Sequence, residues 1–145
     1  MKKIIATNRK AKYDYEIIDT LEVGIKLTGP EVKSTKEGQV SLKEGFVKIE
    51  KGELYIKNMH ISPYKFARIE EYDPIRDRKL LANKKEIKKL FGETTQKKLT
   101  IVPLNIYLKN GKIKLEIALA RGKKKYDKRE DIRKKETRRE LRRST

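Results

Sequence analysis

The chain has 145 residues, of which 36% are hydrophobic and 41% charged, so it can build one domain with a small core. It has no cysteine, which excludes disulfides and thiolate metal sites, and no apolar run long enough to span a membrane. Lysine and arginine outnumber acidic residues 39 to 21, and the formal charge of +18 favours a polyanionic partner. With no Trp and few apolar residues in the basic segments, nucleic acid is favoured over a membrane surface. We therefore expect a cytoplasmic protein without a signal peptide.

The first third of the chain is patterned for a strand followed by a helix. Apolar residues alternate with polar ones from Tyr13 to Ile17 and again from Val23 to Leu27, which predicts one long, bent strand. Pro30 suits the first position of a short helix, and Gly38 can end that helix.

Two hairpins are predicted from apolar runs on either side of turn residues. The first joins residues 46–49 to residues 54–59 through a four-residue loop, Glu50–Glu53. The second turns at Asn110-Gly111, because this dipeptide supplies the positive φ angles of a type I′ turn between two alternating apolar runs. Strands are therefore expected to dominate the chain before residue 120.

A second short helix is predicted between the two hairpins. Asn83 can cap its N-terminus, with Glu86 as the partner in a capping box, and Gly92 is expected to end it. Its buried face is expected to hold Ile87, Leu90 and Phe91. Several short antiparallel strands with two or three small helices favour a small barrel. The fold class is therefore mainly β with short α-helices, and an oligonucleotide-binding-like antiparallel β-barrel is the natural candidate for a basic protein of this size.

The last 25 residues differ in composition from the rest of the chain. Residues 121–145 contain 13 basic and five acidic residues, and their large apolar residues are Tyr126, Ile132 and Leu141. Such a segment cannot bury enough surface to offset its ordering entropy, so we expect it to be disordered alone and helical against a polyanion. The predicted organisation is a barrel over residues 1–120 and a basic tail over residues 121–145.

The sequence gives little support for an enzyme or for a cofactor. His60, the only histidine, is expected to have a structural role at the end of a strand, and no Gly-rich phosphate loop or Ser-His-Asp set is visible. The carboxylates around Asp73 could hold a metal ion, but neighbouring arginines make turn capping and ion pairing the simpler explanation. We expect neither catalytic residues nor a metal site.

Features that suit RNA binding are more numerous. Basic residues beside strands can neutralise phosphates, and tyrosines can stack on unpaired bases. The candidate basic residues are Arg9, Lys10, Arg76, Arg78, Lys79, Arg121, Lys123, Lys124 and Lys125. The candidate stacking residues are Tyr13, Tyr15, Tyr64, Tyr72 and Tyr126. The density of lysine and arginine where the barrel meets the tail argues most strongly for an RNA partner.

Five motifs in chain order resemble those of the SsrA-binding (small protein B) family. They lie at Asn8–Ala11, Gly24–Ser34, Asp73–Leu81, Pro103–Asn110 and Ala118–Arg129. The resemblance implies an oligonucleotide-binding-like barrel that binds the tRNA-like domain of tmRNA and delivers it to stalled ribosomes in trans-translation. It also implies a protein that is monomeric when free.

The resemblance further implies which residues contact RNA. By position in the motifs they are Asn8, Arg9, Glu22, Leu81, Asn83 and Lys124. The two asparagines can read base edges, Leu81 offers an apolar contact, and Glu22 can accept from a guanine or orient a neighbouring Arg. The tail is expected to occupy the decoding site and the empty mRNA channel, with small-subunit rRNA contacts from Tyr126, Asp127, Lys128 and Arg129.

Two other interpretations remain open on the residues alone. A barrel-type ribosomal protein or translation factor that binds folded rRNA would have the same barrel and basic tail. An enzyme that acts on RNA would need a base or a metal cluster, and substitution of His60 would then matter.

Overall fold

The computed structural model describes residues 2–67 and 70–123. Three helices and nine strands alternate along this part of the chain. In order they are β1 (Lys2–Thr7), α1 (Arg9–Asp14), β2 (Tyr15–Ile25), α2 (Gly29–Lys36), β3 (Val40–Ser41), β4 (Phe46–Glu50), β5 (Glu53–Lys57), β6 (His60–Ile61), β7 (Arg78–Leu81), α3 (Lys84–Lys97), β8 (Thr100–Lys109) and β9 (Lys112–Gly122).

Six strands pair in a closed antiparallel ring. The order is β8-β4-β5-β7-β2-β9, and β9 pairs again with β8 through the hairpin at Asn110-Gly111. The ring closes between β4 and β8 at the pair Val47↔Ile101. Strand β1 adds to β8 outside the ring, and β3 pairs with β6 in a separate two-stranded sheet. The predicted fold, a mainly β antiparallel barrel with flanking helices, is confirmed.

The core has a main cluster and a smaller one. The main cluster takes apolar residues from every strand of the ring, and Ile87 and Leu90 of α3 pack against them. On the outer face of β8 and β9, Val102 and Ala118 pack with Ala11 of α1 in the smaller cluster. Strand β8 is therefore buried on both faces over much of its length, and α1 is fixed to the outside of the barrel.

The predicted strand from Tyr13 was wrong at its start. Residues 9–14 form α1, because the Asn8 side chain caps this helix, and β2 begins at Tyr15. Strand β1 was also missed, since its short apolar run lies between lysines and threonine without a clear alternation. The predicted helix at Pro30 is confirmed, with Thr28 as its cap and Gly38 at φ +80° beyond its end.

The first hairpin and α3 differ from prediction in their lengths. Glu50 and Glu53 pair across the hairpin, so its turn is only Lys51-Gly52, and both residues have positive φ angles. Helix α3 begins at the predicted capping box but continues past Gly92 to Lys97, because a single glycine weakens a helix without breaking it. No helix in residues 2–67 or 70–123 is long and apolar enough to cross a membrane.

Candidate nucleic-acid interface

Asn8 is buried and its side chain is fully used inside the protein. Its Nδ2 donates to the carbonyl oxygens of Leu42 (3.1 Å) and Pro103 (2.9 Å), and its Oδ1 accepts from the backbone N–H of Ala11 (3.1 Å). Only 4% of the residue is exposed, so in this structure Asn8 offers little surface for the direct base contact that was expected. Asn8 instead fixes the first turn of α1, where Arg9 is exposed to solvent.

Glu22 lies on the outer face of β2 and is held by side chains of β8. The Tyr107 hydroxyl donates to its Oε2, and Nζ of Lys109 lies 3.3 Å from both carboxylate oxygens. The hydrogen bond from Tyr107 is the main cause that lowers the pKa of Glu22, so this carboxylate is charged at neutral pH. Burial, and then the bond to Glu22, raise the pKa of Tyr107. The expected Arg partner of Glu22 is therefore a lysine, and Tyr107 was not predicted.

Leu81 stands beside Glu22 on the same side of the barrel. Leu81 pairs with Gly24 across β7 and β2, and Glu22 is two residues before Gly24, so the side chains of Glu22 and Leu81 share a face. A Cβ on Gly24 would lie 3.2 Å from the Cβ of Leu81. The glycine therefore leaves room for Leu81, which is 53% exposed.

Asn83 lies two residues after the end of β7 and caps α3. Its Oδ1 accepts from the N–H of Glu86 (2.9 Å), and the Glu86 carboxylate accepts from the N–H of Asn83 (3.1 Å). Its Nδ2 donates no hydrogen bond within the part of the chain that the structure describes, so it can donate to a ligand. Leu81 and Asn83 both line a groove of about 1290 Å³ between the β4–β5 turn, β7 and α3. Leu81 thus shares a face of the sheet with Glu22 and shares the groove with Asn83.

The predicted basic junction lies at the other end of β2, against α1. Arg121 and Gly122 belong to β9 instead of following it, and Gly122 pairs with Tyr15. The guanidinium of Arg121 lies 3.8 Å from the Glu16 carboxylate, and the Lys123 backbone N–H donates to the carbonyl oxygen of Asp14 (2.8 Å). Six predicted residues lie outside the described residues, namely Lys124, Lys125, Tyr126, Asp127, Lys128 and Arg129.

Arg76 and Arg78, which were predicted to bind phosphate, instead bind Glu31. The buried Glu31 carboxylate accepts from Nε of Arg78 (2.7 Å) and Nε of Arg76 (3.1 Å). Arg78 is fully buried, and its Nη1 also donates to the carbonyl oxygen of Met59 (2.6 Å). The Tyr72 hydroxyl, a predicted base-stacking group, donates to the carbonyl oxygen of Ile61 (2.8 Å). This ion cluster joins α2 to β7 and is structural.

The charge of Glu31 makes the stability of the fold sensitive to acid. Burial by itself raises the pKa of Glu31, but hydrogen bonds from Arg76, the Thr28 backbone and Arg78 outweigh it and lower the pKa to about 2, from an ordinary value of 4.5. Because the folded-state pKa is lowered, the stabilisation is fully present above pH 4.5 and is lost as pH falls towards 2. We expect Glu31 to contribute about 3 kcal/mol at neutral pH. The free energy of unfolding in urea should be measured for the protein and for the Glu31→Gln variant between pH 7 and pH 2. We expect the two values to converge as the pH falls from 4.5 towards 2.

The residues considered for catalysis or metal binding are His60 and the carboxylates around Asp73. His60 is exposed in β6 and is not the packed structural residue that was expected. Oδ1 of Asp73 accepts from the N–H of Ile75 (3.0 Å), and Asp77 pairs with Lys57 (3.2 Å), as turn capping and ion pairing predict. Among the residues whose placement is described, no group of three His, Asp or Glu side chains is arranged to hold a metal ion.

Comparison with known proteins gives a consistent result. The model of the SmpB protein family matches residues 5–145. An SsrA-binding protein from Enterococcus faecalis is 52% identical over 98% of this chain and 92% of its own length, and one from Persephonella marina is 55% identical over 96% and 91%. A chain from the solved structure "tmRNA-SmpB: a journey to the center of the bacterial ribosome" is 45% identical, with a TM-score of 0.69 over 88% of this chain and 94% of its own. This chain belongs to the SmpB family.

Proposed function

We propose that this protein binds the tRNA-like domain of tmRNA and acts with it in the rescue of stalled ribosomes by trans-translation. The observation that carries the proposal is the match to SsrA-binding proteins over nearly the whole of both chains, at 52% identity in the Enterococcus faecalis protein. The positive charge of the chain and its exposed polar and apolar groups on one side of the barrel support an RNA partner.

The barrel and the tail have different tasks in this proposal. The exposed groups of Glu22, Leu81 and Asn83 contact unpaired nucleotides on one side of the barrel. Arg9 of α1 neutralises phosphates together with Arg121 and Lys123 at the end of β9. Lys124, the next residue in the sequence, has the same role. Asn8 acts through α1 and does not touch RNA. The tail binds the ribosome through Tyr126, Asp127, Lys128 and Arg129, in the decoding site and the empty mRNA channel.

A gel-shift titration tests the RNA specificity. The labelled RNA is the tRNA-like domain of tmRNA, with ordinary tRNA and an unrelated structured RNA as competitors, at two salt concentrations. We expect tight binding that prefers the tRNA-like domain and survives the higher salt, because base contacts do not depend on counterion release. Equal, salt-labile binding to every RNA would contradict the proposal and favour a general rRNA-binding protein.

A further inference from the structure

Phe91 is a large apolar residue that the core does not use. It was expected on the buried face of α3 with Ile87 and Leu90, but those two are at most 9% exposed while Phe91 is 54% exposed. Helix α3 extends past Phe91 to Lys97, so this side chain projects from the middle of a regular helix and not from a frayed end. An exposed aromatic ring on a rigid element has a fixed position from which it can contact a ligand.

Phe91 lines the same groove as Leu81 and Asn83. Residues 84, 88, 91 and 92 share one face of α3 and form one wall, Leu81 and Ala82 lie at the floor, and Lys51-Gly52 of the β4–β5 turn lies on the other side. At about 1290 Å³ the groove is larger than the roughly 300–1,000 Å³ of sites that enclose a small molecule. It is suited to a segment of a polymer.

The charges around the groove select an anionic occupant. Lys51, Lys84 and Lys88 line it, and none of the three has an ion-pair partner among residues 2–67 and 70–123. Two carboxylates also line the groove. Glu53 pairs with Lys79 (3.6 Å), whereas Glu86 keeps its charge while it accepts from the backbone N–H of Asn83. The four lysines and two glutamates of the lining leave a net charge of +2 around two exposed apolar side chains, which matches phosphates that flank an unpaired base.

We propose that this groove binds an unpaired nucleotide segment of RNA, with a base stacked on the ring of Phe91 and packed against Leu81. Lys51, Lys84 and Lys88 contact the flanking phosphates. The identity of that RNA as tmRNA rests on the proposed function, whereas stacking on Phe91 does not. The basic tail of this chain is a poor occupant because its own lysines and arginines would repel those of the groove.

Fluorescence of 2-aminopurine tests the stacking directly, because this base is quenched when it stacks on an aromatic ring. The probes are a short single-stranded RNA with one central 2-aminopurine, and the tRNA-like domain with 2-aminopurine at single unpaired positions. We expect quenching on binding to the full chain and to Phe91→Tyr, and loss of quenching with Phe91→Ala and Phe91→Leu. Affinity for the probes should fall roughly 5- to 150-fold in Phe91→Ala.

Phe66→Ala is the matched control, since Phe66 is 73% exposed and does not line the groove. It should keep both quenching and affinity, and Lys88→Ala should weaken binding while keeping the quenching at saturation. Thermal melting of each variant establishes that it is folded. Unchanged quenching and affinity in Phe91→Ala, or loss of both in Phe66→Ala, would overturn the inference. If the short RNA reports stacking but tmRNA is not preferred over tRNA, the inference stands and the proposed function fails.

Discussion

Replacing Glu31 by Gln is expected to lower the free energy of unfolding by about 3–5 kcal/mol at neutral pH. The substitution leaves the guanidinium of Arg78, which is fully buried, without a counter-charge in a place that water does not reach. For a domain of this size the melting temperature should fall by roughly 10–20 °C. Thermal and urea unfolding followed by circular dichroism would measure both quantities.

Glu37→Gln is the matched control, because Glu37 is an exposed residue at the end of the same helix. It removes the same charge without exposing a buried partner, so we expect a change within about 0.5 kcal/mol. Similar losses in the two variants would show that the Glu31 cluster adds no more than an ordinary surface charge. The cluster also fixes the start of β7, which carries Leu81, so Glu31→Gln should weaken RNA binding through the fold.

Removal of residues 125–145, which keeps Lys124, is expected to abolish tagging of stalled nascent chains and to leave a folded barrel that binds tmRNA. Every strand and every core residue described above lies before residue 124, and this truncation keeps all of β9. A truncation after residue 120, the boundary predicted from sequence, would remove Arg121 and Gly122 and their pairs with Glu16 and Tyr15. Thermal melting, gel shift and a reconstituted tagging assay would separate the three properties.

Alanine substitution of Asp127, Lys128 and Arg129 in the full-length chain is the companion variant. It keeps most of the positive charge of the tail, so nonspecific attraction to RNA changes little. We expect normal affinity for the tRNA-like domain and loss of tagging. If the affinity fell as far as the tagging activity, the division of labour between barrel and tail would be wrong.

The sequence predicted elements best where a few neighbouring residues determine the backbone. Asn110 and Gly111 adopt the positive φ angles that the hairpin turn needs, and Asn83 and Glu86 form the capping box at the start of α3. The turn and the start of the helix were therefore both located correctly. The end of α3 was not located correctly. Gly92 lowers the stability of the helix only slightly, and the packing of Ile87 and Leu90 in the core outweighs that loss.

The candidate site was predicted less completely, because its residues depend on partners far along the chain. Asn8 looked like a base-reading group, yet its amide binds carbonyl oxygens 34 and 95 residues away. Arg78 looked like a phosphate ligand, yet its partner Glu31 lies 47 residues earlier. Local composition cannot distinguish a buried arginine from an exposed one. The exposure of Leu81 and Phe91 likewise follows from the tertiary packing alone.

The pairing of the strands also determines when this protein can fold during its own synthesis. Strand β2 pairs with β9, as in Tyr15↔Gly122, and the ring closes between Val47 and Ile101. Such non-local contacts must form across long loops, so folding is slower than in a protein of local contacts. In a nascent chain interrupted before β9, strands β2 and β8 lack β9, the strand that both of them pair with. Their apolar faces then stay exposed. A protein proposed to act on incomplete translation thus has a barrel that closes only after its own β9 has been translated.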